Sequence, residues 1–171
     1  KVVRLRWDAP AALGREVRAA AMSRDGTRLV MAISRPGGGS RLLMARVLRS
    51  PDTAGKPLGL RSTGTVQTGA QLRGLVDLGW RDTTTLAVLV RPDRVSSRVL
   101  AVPVDGQRAS GALLEDSDVL FGRAVAMAAS PEPEQVRVTT TGGDHYVLSP
   151  PGRWRLVPGD RAPLRSPTYV G

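Results

Sequence analysis

No cysteine occurs in this chain of 171 residues. That excludes a disulfide frame, a thiolate nucleophile and any cysteine-ligated metal. Aromatic residues are nearly as scarce, at three Trp, two Tyr and one Phe. The core must therefore be mostly aliphatic. The aromatic platforms on which single-stranded nucleic acids stack are missing too, so no nucleic-acid partner is expected. Histidine is reduced to His145, too few ligands for a zinc site without cysteine. No apolar run is long enough to span a bilayer, and no signal-peptide pattern opens the chain. It opens on the strand-like run VVRLRW, and the expectation is that it begins inside a larger protein.

What is abundant points to short strands. The hydrophobic fraction is 41%, and 13 Pro and 19 Gly fall largely between apolar runs. The formal net charge is +10, carried almost wholly by arginine. Such a balance suits an anionic partner, whether nucleic acid, a lipid surface or an acidic protein face. The codon usage of a GC-rich genome would supply the same arginines, and they are scattered rather than blocked.

The stretch MSRDGTRLVMAI, residues 22–33, reads as strand, tight turn, strand. It returns twice. Leu29 has its counterpart at Leu86, in LGWRDTTTLAVLV, and again at Val136, in MAASPEPEQVRVTT. The intervals are 57 and 50 residues. RLLMARV (41–47) likewise precedes RVLAVPV (98–104) by 57 residues, after the loops RPGGGS and RPDRVSS. The third copy continues with TGGD, HYVLS and PPGRWRLV. Self-similarity at this period marks propellers and related arrays. Each unit reads as strands A, B and C with a weaker strand D. The innermost strands are VRAAAMS, GLVDLGW and AVAMAAS, whose small residues suit crowding at an axis. The competing reading of GREVRAAAMS as a short helix finds no helical spacing in its repeat partners.

The expected fold is thus all-β: a partial β-propeller of about three four-stranded antiparallel blades. Residues 1–13 are assigned to an outer strand of a preceding blade and its connection. Residues 14–68, 69–121 and 122–160 are the blades, and 161–171 a C-terminal tail. Closed propellers have ~4–8 blades. Three therefore belong to a larger ring, completed by upstream blades, a companion fragment or a second copy of this chain.

The segments VRAAAMSRDGTRLVMAI, SRLLMARVLR, VDLGWRDTTTLAVL, VPVDG and PGRWRLVPGDRAPLRSPTYVG, in that order, resemble the propeller region of the actinobacterial LpqB lipoprotein family. The resemblance implies a secreted protein held to the membrane by a lipid on an N-terminal cysteine outside this chain. It implies a smaller domain ahead of the propeller. It also implies a partner, the extracellular domain of a sensor histidine kinase of the MtrA–MtrB type, linked to cell-wall homeostasis and division. No catalytic residues and no cofactor come with it.

The residues themselves offer little chemistry. Asp144–His145 lacks a serine in a nucleophile elbow. RPGGGSR lacks the lysine, hydroxyl and helix of a phosphate loop. Trp7–Asp8 lacks the repeat spacing of WD propellers. Glu115, Asp116 and Asp118 lack the glycine and closing glutamate of a calcium loop. One constellation remains. Aligning the repeats on strand B places Glu16, Arg73 and Arg123 at the start of strand A. Arg35, Arg91 and Arg94 lie in the B–C loops at the same end, with Arg15 and Arg18 near. Arg35, Arg73, Arg91, Arg94 and Arg123 are the candidate partner-binding residues, on a mostly basic face suited to an acidic surface or, alternatively, an anionic glycan. Arg24, Arg28 and Arg81 fall elsewhere, as general loop decoration would have it.

Overall fold

The computed structural model describes residues 6–8, 16–50, 57–68, 72–93, 95–105, 112–113, 122–131, 134–149 and 153–157. All regular structure among them is strand, in three sheets. The first holds β1 (Arg6–Asp8), β2 (Val17–Met22), β3 (Arg28–Ser34), β4 (Ser40–Arg49) and β5 (Pro57–Val66), in the order β1-β5-β4-β3-β2. The second runs β6 (Leu75–Trp80), β7 (Thr85–Val90), β8 (Arg98–Pro103) and β9 (Ala112–Leu113). The third runs β10 (Ala124–Pro131), β11 (Glu134–Thr140), β12 (His145–Ser149) and β13 (Arg153–Val157). Strands β2–β5, β6–β9 and β10–β13 each run as an antiparallel meander from inner to outer strand, β1 joins the first in parallel, and the three sheets form blades of a partial β-propeller.

The packing follows from the strand pattern. In β7 every residue from Leu86 to Val90 is buried. Leu86, Val88 and Val90 enter the core shared with the first sheet, beside Val30, Ala32, Leu42, Leu78 and Trp80. Ala87 and Leu89 face the other way, to Val99, Met127, Val136, Val138 and Trp154 of the second and third sheets. A strand covered on both faces needs no polar alternation, which explains the run TLAVLV. Burying each such Leu or Val is worth about 1.5–3 kcal/mol. Met31, Ile33, Leu43, Ala45 and Leu60 form a further apolar layer, on the face of the first sheet turned away from the second.

The innermost strands adjoin, β6 touching both β2 and β10. Their small residues make this possible. A Cβ added at Gly79 would stand 2.9 Å from the Cβ of Ala129. Residues 17–22 form strand β2 rather than a helix, because only an extended backbone completes the ladder with β3.

Two details differ from the sequence expectations. The N-terminal run is assigned by sequence to an outer strand of a preceding blade, yet Arg6–Asp8 pairs in parallel with Gly59–Arg61 on the outer edge of the first sheet. Trp7–Asp8 thus belongs to an edge strand. The strand expected to be weak in each unit is also uneven: β5 has 10 residues, paired along most of β4.

Candidate functional site

Hydrogen bonds locate one end of the array. Ser34 N–H donates to the Glu16 carbonyl, Arg91 N–H to that of Gly74, and Thr141 N–H to that of Arg123. The same bond therefore closes the A–B ladder in all three sheets. A register shift follows at the same point in each, between Val17 and Ala19, Leu75 and Asp77, and Ala124 and Ala126. This corrects the repeat alignment. The structural equivalent of Glu16 and Arg123 is Gly74, not Arg73. The cause is a turn one residue shorter. Leu29 pairs with Met22, Leu86 with Trp80 and Val136 with Ala129, so the second unit crosses its A–B turn in one residue fewer. Alignment on strand B carries that difference into strand A. Gly74 has φ +60°, and a Cβ there would collide with the Arg91 carbonyl.

At the junction of the first and second sheets the B–C loop is drawn in. Ser40 N–H donates to the Leu72 carbonyl at 2.9 Å. A Cβ at Gly39 would lie 3.9 Å from Arg73 Cγ. Arg35 is exposed on the turn that this loop makes, its N–H donating to the Gly39 carbonyl.

The junction of the second and third sheets is held lower down. Ser97 is fully buried, and its hydroxyl accepts from Ala124 N–H at 2.9 Å. Above it a groove of about 650 Å³ stays open, lined by Gly74, Arg91, Pro92, Asp93 and Arg123. Arg123 is exposed and Arg91 half-buried. The Asp93 carboxylate accepts from the Ser96 hydroxyl and N–H, each at 2.6 Å, and from Val95 N–H at 2.7 Å. Those bonds, the hydroxyl's foremost, lower its pKa to about 2. Asp93 is therefore a permanent negative charge in the groove.

The structure thus brings Arg91 and Arg123 to one groove, and places Arg73 against the loop that carries Arg35. Arg94 and Arg15 lie outside the described residues, as do Glu115, Asp116 and Asp118. Arg18 belongs to a local network instead. Its Nε donates to Ser34 Oγ at 2.9 Å, and its guanidinium lies 3.5 Å from Glu16. His145 pairs through Nδ1 with the Thr139 hydroxyl at 3.0 Å, across two neighbouring strands. Among the described residues no cluster of three or more His, Cys, Asp or Glu could hold a metal ion.

The opposite end, reached by the A–B turns, carries a cleft that the sequence reading missed. It holds about 440 Å³ among Ser23, Arg24, Asp25, Arg28, Trp80, Asp82 and Thr83. The Arg28 guanidinium lies 4.5 Å from the Trp80 ring centroid and donates to the Thr83 carbonyl at 2.7 Å. Trp80 Nε1 donates to the Ala21 carbonyl at 3.2 Å. Asp25 is held at a pKa of about 2 by the Ser23 hydroxyl, then by the N–H and hydroxyl of Thr27. Arg28 is thus committed to joining two sheets. The signal in the sequence was a tryptophan ending GLVDLGW beside a turn with a basic side chain, but nothing there paired it with Arg28.

Residues 1–169 match the family model described as the lipoprotein LpqB beta-propeller domain. No curated protein matches the chain.

Proposed function

The chain belongs to the LpqB β-propeller domain family, and we propose that it is a non-catalytic, extracytoplasmic interaction module of a membrane-anchored lipoprotein. Its partner is the extracellular domain of a sensor histidine kinase of the MtrA–MtrB type, and its role the tuning of cell-wall homeostasis and division. The observation that supports this best is the end of the array at which strand A begins. Arg35, Arg73, Arg91 and Arg123 all stand at that end, in B–C loops or at strand starts, and the sheets behind hold them in a fixed frame. Arginine on a rigid scaffold offers forked donors to carboxylates at little ordering cost.

Capture of the kinase's extracellular domain by the folded lipoprotein tests the proposal. Specific capture is the expected result; no binding by an intact propeller overturns it. The net charge of +10 favours a second reading, in which the same loops hold an anionic glycan. That reading requires affinity that falls steeply with salt, since exposed charges are screened beyond about 10 Å at 0.1 M.

A further inference from the structure

We infer that the groove between the second and third sheets is a subsite for the carboxylate side chains of an acidic polypeptide. The inference rests on the interaction-module reading and assigns its recognition chemistry to one place.

The described residues hold the two junctions by different contacts. Between the first and second sheets, the Ser40–Leu72 bond and the close approach of Gly39 to Leu72 and Arg73 draw the loop in. Between the second and third, Asp93 folds its own loop onto Val95 and Ser96, and Ser97 meets Ala124 below. The remaining space of about 650 Å³ has arginines on opposite sheets, Arg91 at the end of β7 and Arg123 before β10. Among the described residues, nothing lies within 4 Å of where a Cβ on Gly122, next to Arg123, would stand.

The charge count selects the ligand. Among the described residues that line the groove, two guanidinium groups face one ionised Asp93, a net charge of +1. That balance accepts a carboxylate, which pairs with a guanidinium through two parallel hydrogen bonds. A sulfated or phosphorylated polymer would set several negative charges against Asp93, whose three donors keep it ionised and in place. The observations thus favour an acidic protein segment over a polyanionic glycan.

Fluorescence anisotropy on the full chain with a labelled oligoglutamate peptide of about ten residues tests this. A sulfated oligosaccharide of equal length serves as comparison. Arg91→Gln and Arg123→Gln should each weaken peptide binding about tenfold, the worth of one charge-assisted contact. Arg46→Gln, which removes the same charge from an exposed site on β4, should leave it within about twofold. Asp93→Asn should narrow the preference for peptide over sulfated sugar. Peptide binding that is absent, or equally reduced by all three arginine variants, overturns the subsite. So does tighter binding of the sulfated sugar through Arg91 and Arg123. Unchanged kinase-domain capture by the Arg91→Gln/Arg123→Gln protein overturns the subsite and leaves the kinase reading standing. Peptide binding that depends on both arginines, with no capture of the kinase domain, does the reverse.

Discussion

The Asp77 carboxylate on β6 accepts a 3.0 Å hydrogen bond from the backbone N–H of Met127 on β10. It caps an edge donor of the neighbouring inner strand and ties the second sheet to the third. Its other oxygen accepts from its neighbour Leu78 N–H at 2.9 Å. Burial nevertheless outweighs these bonds and raises its pKa.

The sign of the pH effect follows. A carboxyl whose folded pKa is raised binds its proton more tightly in the folded chain. The folded state then gains as pH falls through the raised value toward 3.8, where the unfolded group titrates. The stability of the native chain relative to Asp77→Asn should therefore increase between pH 7 and pH 4, measured by urea unfolding. A decrease would mean that the Met127 and Leu78 bonds outweigh desolvation.

Asp25 should behave in the opposite sense. Its pKa is lowered to about 2, so its contribution is complete above 3.8 and is lost as pH falls toward 2. The native chain should lose its advantage over Asp25→Asn across that window. An advantage that stays constant with pH would contradict the role of the Ser23 and Thr27 bonds.

Gly74 and Gly37 both have positive φ, at +60° and +80°, but only one is crowded. Among the described residues Gly37→Ala meets nothing within 4 Å, and it should cost only the backbone penalty, about 1–2 kcal/mol. Gly74→Ala adds a collision with the Arg91 carbonyl and should cost at least about 3 kcal/mol. Equal costs in thermal unfolding would refute the tight closure of the second A–B ladder.

Gly79 and Ala129 should couple. Gly79→Ala brings two Cβ atoms to 2.9 Å and should destabilise by about 1–3 kcal/mol through overpacking. Ala129→Gly in the same chain should recover part of that loss. Additive effects in the double-mutant cycle would show that β6 and β10 do not meet there.

Trp80→Phe keeps the ring in the core and removes the Nε1–Ala21 bond. It should cost about 1 kcal/mol for the lost bond, leaving the Ala21 carbonyl without that donor. Trp80→Ala should cost about 3–5 kcal/mol, since Trp80 is almost fully buried between two sheets. A larger loss for Phe than for Ala would rule out this account.

Much of the fold was legible because strand B repeats cleanly. Leu29, Leu86 and Val136 occupy equivalent ladder positions opposite Met22, Trp80 and Ala129. The basic loops were legible too, since turn residues flank Arg35 and Arg91. The Gly74 equivalence was not. A single residue lost from a turn leaves no mark on hydrophobic periodicity, yet it shortens the offset between strands A and B by one while the ladder itself is kept. The pairing of Arg6–Asp8 was equally hidden, because a short edge strand takes its partner from backbone donors and not from side-chain pattern.

The amino-acid order alone determined that this chain makes stacked antiparallel sheets with an arginine-rich rim. Apolar alternation, turn residues and scarce aromatics are local properties, and they suffice for that. Only the tertiary structure decided which arginines meet. Arg91 and Arg123 stand 32 positions apart in the chain and on different sheets. What brings them to one groove is the stacking of β6 on β10, set by the close approach of Gly79 to Ala129 and the bonds Asp77–Met127 and Ser97–Ala124.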